Sequence, residues 1–148
     1  MVPGLIITRV DSVPPDVDEL LTASRAEGYD LVERFVAGWE DGSNRFDLPG
    51  EVVLEVRLEG RLVALGGLNR DPYLGDPTVG RIRHVYVHPD ARGTGAGSAL
   101  VIALMEHARD AFTRVRLRAG PPGVGDFYAA LGFQSTPDEE NSTHQLRF

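Results

Sequence analysis

Hydrophobic positions change period several times along the chain, and each change predicts an element. "LIITRV" (Leu5 to Val10) is a short apolar-rich run that reads as a first strand. Val17, Leu20, Leu21 and Ser24 then fall at helical spacing, and Asp16 with Glu19 resembles a capping box in front of them. Val32, Phe35, Val36 and Trp39 repeat that spacing, with Asp30 and Glu33 as caps and Gly28 separating the two helices. A polar loop ends at Pro49-Gly50. From there the period is two: Val52, Leu54, Val56 and Leu58 share one face, Glu59-Gly60 makes a tight turn, and Leu62 to Leu68 runs back as a hairpin. A loop with two Asp-Pro pairs leads into "VGRIRHVYVHP", a strand closed by Pro89. A helix follows from about Gly95 to Asp110, with Val101, Leu104, Met105, Ala108 and Phe112 as its apolar stripe. "RVRLRA" is a short strand, Asp126 to Leu131 a short helix, and "STHQLRF" a last strand. The order β-α-α-β-β-β-α-β-α-β predicts a mixed α/β fold, without the strict alternation of a doubly wound nucleotide-binding sheet.

Composition narrows the function classes. The 148 residues, 42% of them apolar, read as one domain over residues 1–148 with a core of its own. No apolar run approaches twenty residues, and the N-terminus has neither a basic start nor a long apolar stretch, so neither a membrane span nor a signal peptide is expected. Cysteine is absent, which excludes disulfides and thiolate metal sites and makes a cytoplasmic location the expectation. The four histidines, His84, His88, His107 and His144, form no ligand pattern, so no metal is expected. All fifteen basic residues are arginine. Without lysine there is no Walker-type phosphate loop and no Schiff-base catalysis. A net charge of −7 argues against nucleic acid as a partner.

The most informative stretch is "VHPDARGTGAGSAL", Val87 to Leu100. Gly93, Gly95 and Gly97 alternate directly ahead of a helix. A dinucleotide fingerprint fails, because Ser98 or Leu100 stands where the third glycine belongs and the turn lies five residues past the strand. A plain turn needs fewer glycines. Alternating glycines at a helix N-terminus bare several N–H groups beside the positive end of the helix dipole, an anion cradle to which Arg92 adds a fork of donors.

This stretch resembles motif A of the GNAT N-acetyltransferase family, Arg/Gln-x-x-Gly-x-Gly/Ala between a strand and a long helix, with Arg92, Gly95 and Gly97 at the matching positions. "DFYAALGF" (Asp126 to Phe133) is similar to the family's motif B, and "LEGRLVALGGL" fits the strands before motif A. The resemblance covers the chain well from residue 51 onward and weakly before it. It implies a mostly antiparallel central sheet with helices on both faces, and an N-acetyltransferase that uses acetyl-CoA. The turn Arg92, Gly93, Thr94, Gly95, Ala96, Gly97 and Ser98 would hold the pyrophosphate, and the strand edge Val85, Tyr86 and Val87 the pantetheine arm. An N–H of Tyr86 or Val87 would polarise the acetyl carbonyl, and Tyr128 would be the general acid for the departing thiolate.

Strict alternation puts Ile82 on the opposite face from Val85 and Val87, so a bulge is expected near Arg83-His84. The sequence departs from the family at two places. Where relatives carry a strand glutamate as base this chain reads "GRIRH", which leaves His84, Glu55 or water to take the amine's proton, and Arg81 and Arg83 either solvated or facing an anionic acceptor. Pro121 stands where relatives have an asparagine against the pantetheine.

The acceptor pocket would be built from the early helices and the loop after the hairpin, with Tyr29, Trp39, Phe46, Asp71, Tyr73 and Asp76 as candidate lining. A small-molecule amine is the expected partner. A homodimer is in keeping with sheet folds of this kind, although no residue signals one. Two other readings stand beside the enzyme: a non-catalytic acyl-CoA sensor on the same fold, and an interaction module without cofactor. The intact Arg92-Gly95-Gly97 turn speaks against the latter.

Overall fold

The computed structural model describes residues 4–120 and 123–148. Strand β1 (Leu5–Arg9) leads to helices α1 (Asp18–Ala26) and α2 (Leu31–Asp41), then to strands β2 (Val52–Leu58), β3 (Arg61–Arg70) and β4 (Val79–Val87). Helix α3 (Ala96–Ala111), strand β5 (Arg114–Leu117), helix α4 (Val124–Ala130) and strands β6 (Gln134–Ser135) and β7 (His144–Arg147) follow. The strands form one sheet in the order β1-β2-β3-β4-β5-β7-β6. Among the described residues only β4 and β5 run parallel, joined by the α3 crossover.

Helices cover both faces. On one, α3 packs Leu100, Val101, Leu104 and Ala108 onto Val52, Leu54, Val56 and Ile82, and α4 adds Tyr128. On the other, α1 and α2 set Leu20, Val32 and Phe35 against Val53, Leu62, Leu65 and Tyr86. β2 and β3 are therefore buried on both sides, which explains the near-continuous apolar run of "VVLEV" and "LVALGGL". The hairpin turn has Glu59 at φ 52° and Gly60 at φ 83°, the left-handed pair that a two-residue connection requires.

Several local expectations shift. Neither Asp16 nor Asp30 caps a helix through its side chain. Asp16 instead receives a two-point bond from Arg57 on β2, at 2.7 and 2.9 Å, and Glu33 meets Arg25 at 2.7 Å. A bidentate charged pair outcompetes a single cap bond to backbone. β6 is a two-residue strand, too short for any periodic signal, and the last strand is confined to His144–Arg147.

β4 and β5 stay together only briefly. Val79, Gly80 and Arg81 pair with Arg114, Val115 and Arg116, and there the ladder ends. β4 runs on for six residues with its outer edge unpaired, while β5 stops at Leu117. A wedge opens between two neighbouring strands, at the end where α3 begins.

Candidate active site

The expected bulge is present in β4. Leu65 pairs with Tyr86 and Gly67 with Arg83, leaving His84 and Val85 opposite Gly66 alone. His84 takes φ 59°, a left-handed conformation that disfavours a side chain. The extra residue turns Ile82, Val85 and Val87 together toward α3. Arg83, His84 and Tyr86 turn toward α1 and α2.

The edge beyond the bulge offers backbone groups. The His88 N–H reaches inward to the Val63 carbonyl at 2.7 Å. N–H directions alternate along extended chain, so the Val87 N–H faces the open wedge and the Tyr86 N–H faces β3.

After a short 3-10 turn at Pro89–Ala91 the glycine stretch begins. Gly93 and Gly95 have φ of 81° and 89°, and a Cβ on either would meet open space. Gly97 has another reason to be glycine: a Cβ there would lie 3.2 Å from Val87 Cγ2 and 3.8 Å from the Phe127 ring. That contact brings β4, the turn and α4 to one place. Among the described residues, the N–H groups of Gly93, Gly95, Gly97 and Ser98 meet no backbone acceptor outside regular structure, and the Ala96 N–H meets only Thr94 Oγ1 at 3.3 Å. No acidic residue sits in the first turn of α3 to neutralise them.

Arg92 is braced. Its fork donates to Glu27 at 2.7 Å through each terminal nitrogen, and the Tyr86 hydroxyl donates to the same carboxylate at 2.5 Å. Arg92 holds the Glu27 carboxyl below its ordinary pKa, against the opposing effect of burial. Burial and the Glu27 carboxylate hold the Tyr86 phenol above its own. Three further donors of Arg92 stay available. Glu27 was not legible as a site residue. It precedes Gly28 in a helix–helix link and looks like any solvated carboxylate.

Tyr128 is buried on α4, edge-on to Phe127 and Phe133 with ring centroids at 5.1 and 5.5 Å, and tilted against His144 at 6.4 Å. Burial pushes its hydroxyl well above the ordinary tyrosine pKa, so the proton stays on Oη. His84 lies 6.2 Å from the rings of both Phe35 and Phe46. Burial first, then the charges of Arg83 and Arg34, push its pKa down to about 3. The ring is neutral at physiological pH and binds a proton weakly. Glu55 is on β2, with its carboxylate 2.8 Å from Arg57.

Asp71 does not face an acceptor. Its carboxylate is fully buried, taking Arg116 at 2.9 Å, Arg81 at 3.4 Å and the Tyr73 N–H at 2.9 Å. Burial alone would raise its pKa, but the Arg116 and Tyr73 bonds and the two positive charges carry it below the usual value. Arg81 is closed off by the same pair, with the Tyr73 ring 4.8 Å from its guanidinium. Asp76 accepts from the Thr78 N–H and hydroxyl within its own loop. Trp39 and Phe46 pack against Phe35, and Tyr29 joins the same cluster. Pro121 lies outside the described residues. Among the described residues no group of three or more His, Asp or Glu is arranged to hold a metal.

The model of the Acetyltransferase (GNAT) family matches residues 16–133. The chain belongs to this family. A crystal structure from Exiguobacterium sp. 255-15 assigned as an acetyltransferase is 34% identical, with a TM-score of 0.85 over 97% of this chain and 93% of that one. The GNAT fold is shared more distantly by yncA of Salmonella typhimurium, described with its cofactor acetyl-CoA, at 17% identity and TM-score 0.73 over 97% of this chain and 94% of that one. It is shared also by the N-acetyltransferase YhbS of Escherichia coli in complex with CoA, at 17% identity and TM-score 0.68, covering 99% and 82% of the two chains. No protein of curated function matches in sequence. The matched range includes the β4 bulge, the glycine turn and Tyr128.

Proposed function

We propose that this GNAT N-acyltransferase moves the acetyl group of acetyl-CoA to the amine of a small molecule by direct attack in a ternary complex. The observation that carries the reading is the continuity of a bulged, unpaired β4 edge with a bare, uncapped α3 N-terminus. The residues fit the donor: open space at the Cβ positions of Gly93 and Gly95 admits a pyrophosphate against free N–H groups, and Val85 to Val87 offer strand-type partners to the amides of the arm. When bound, the donor supplies a thioester carbonyl activated toward amines.

The chain's own groups then have distinct tasks. The Val87 N–H points a donor into the wedge, where negative charge would develop on the acyl oxygen. Tyr128 keeps its proton on Oη in a dry setting, ready for a leaving thiolate. His84, neutral and poorly basic, accepts a hydrogen bond from the attacking amine and orients it, and the amine's proton passes to water. The brace of Glu27, Tyr86 and Arg92 holds the α1–α2 connection against the turn, so the acceptor side and the donor side share one support.

The weak basicity of His84, with Glu55 held against Arg57, favours a second reading, a sensor that binds acyl-CoA without turnover. Titration with acetyl-CoA combined with an amine panel and detection of free CoA thiol separates the two. Thiol release that depends on the amine supports transfer. Tight binding without release for any amine supports the sensor and refutes transfer.

A further inference from the structure

Four covered or partly covered arginines meet a carboxylate at close range. Arg57 meets Asp16 at 2.7 Å, Arg114 meets Glu139 at 2.9 Å, Arg116 meets Asp71 at 2.9 Å, and Arg81 meets Asp71 at 3.4 Å. Arg83 breaks the pattern. It is half-buried on β4, immediately before the bulge, and among the described residues no carboxylate lies within ion-pairing distance of it. The carboxylates whose field reaches it are Asp71 and Glu51. Asp71 is committed to Arg116, and Glu51 accepts from the Asn69 amide at 2.9 Å, the Arg70 N–H at 2.9 Å and the Leu48 N–H at 3.1 Å.

The second observation is Arg34, one residue before Phe35 on α2. It too forms no ion pair among the described residues, and its positive charge acts on both Arg83 and His84. Arg34 immediately precedes Phe35, whose ring lies 6.2 Å from His84, and Arg83 immediately precedes His84, so the two guanidiniums flank the packing of α2 on the bulge. Like charges held together, one of them partly desolvated, cost free energy unless an anion joins them. In a chain of net charge −7 there is no shortage of carboxylates to fill the place, yet none does.

We infer that Arg83, assisted by Arg34, binds a carboxylate on the acceptor, so that the amine acetylated here belongs to an amino acid or a compound of that type. This rests on the acetyl-transfer reading. The planar fork of arginine fits a carboxylate at two points. Arg83 lies on the α2 side of the sheet and the glycine turn opens at the start of α3, so the anion at Arg83 is separate from the pyrophosphate. Arg81, which from sequence shared this role, is excluded by its pairing with Asp71.

The test compares kcat/KM for matched acceptors, each α-amino acid against its carboxamide and its aminophosphonate analogue, in the native protein and in Arg83→Gln and Arg34→Gln. The expected preference for acid over amide is about 10- to 150-fold, the worth of a charge-assisted hydrogen bond lost from a partly covered site. It appears in KM and collapses toward one in Arg83→Gln. Arg34→Gln, at an exposed position, narrows the same ratio in part and carries the test if Arg83→Gln does not fold. Acetyl-CoA affinity is the check on folding. Equal use of acid and amide by the native protein, or preference for the aminophosphonate, overturns the inference while leaving acetyl transfer intact. So does an Arg83→Gln variant that loses both acceptors alike. If acetyl-CoA binds but no amine of any class is acetylated, the transfer reading fails and this inference fails with it.

Discussion

His84 gives the prediction most directly computable from the structure. Its pKa is about 3 in the folded protein and 6.5 in the open chain. A depressed folded value means that the unfolded chain binds the proton first. The stability associated with a neutral His84 is therefore complete above pH 6.5 and is lost progressively as pH falls toward 3. Each pH unit in that window removes about 1.4 kcal/mol, so lowering the pH from 7 to 5 should cost about 2 kcal/mol through this one ring. The carboxylates held below their ordinary values, Asp16, Glu27 and Asp71, lose their contribution only at lower pH, as they are protonated. Urea unfolding of the native protein and of His84→Asn at pH 7 and pH 5 isolates the effect. Asparagine tolerates the left-handed backbone at this position. Any packing loss in the variant is present at both pH values and cancels, as do the other three histidines. The variant should lose about 2 kcal/mol less than the native protein over this interval. Equal losses, or an imidazole seen by NMR to titrate near 6.5, would refute the reasoning. The same shift has a kinetic consequence: no limb of the kcat/KM profile between pH 5 and 8 belongs to His84.

Other outcomes follow from single contacts. Tyr128→Phe should lower kcat by about 10²- to 10⁴-fold with acetyl-CoA affinity retained, since the ring is kept and only the hydroxyl that would supply the proton is removed. An unchanged kcat dismisses the acid role. Gly67→Ala should destabilise the fold by about 1–3 kcal/mol in thermal unfolding, because its Cβ would fall 2.3 Å from the Phe46 ring. A native melting temperature would show that Phe46 is not seated there. Asp71→Asn should cost about 3–5 kcal/mol, because it leaves Arg81 buried without a counter-charge and Arg116 with Glu139 alone. A loss below about 1 kcal/mol would contradict the buried network.

The parts of the site written in local pattern were legible in advance. Gly93, Gly95 and Gly97 stand in one turn, and their spacing states a backbone need that the structure bears out in two left-handed residues and one close approach to Val87. The bulge could be read because Ile82, Val85 and Val87 are apolar yet out of phase, and only an inserted residue puts them on one face. Pairings between distant segments left no such trace. Glu27 joins Arg92 across 65 positions and Asp71 joins Arg116 across 45, and nothing near either acid distinguishes it from a solvated one. Asp30 stands at the N-cap of α2, though without a side-chain bond, whereas the same limit hides that Asp16 pairs with Arg57 instead of capping α1. Local spacing reveals that a carboxylate is available to a helix end, but not that Arg57 will take it first.

Glu27 also changes how the two halves of the protein relate. The first half, from which motif patterns are absent, supplies the carboxylate that holds the arginine of the best-defined motif. Tyr86, the third member, sits on β4 just past the bulge and packs among the side chains of α1 and α2. The α1–α2 connection, β4 and the glycine turn are thus tied by one hydrogen-bonded unit.

The central claim is that the wedge beside β4 and the glycine turn together hold an acyl-CoA. Amide-detected NMR during titration with acetyl-CoA tests it directly. Saturable shifts concentrated at Val85 to Val87 and at Gly93 to Ser98, with the Val87 N–H among the largest, are the predicted result. No binding, or binding whose shifts avoid both segments, would contradict the account.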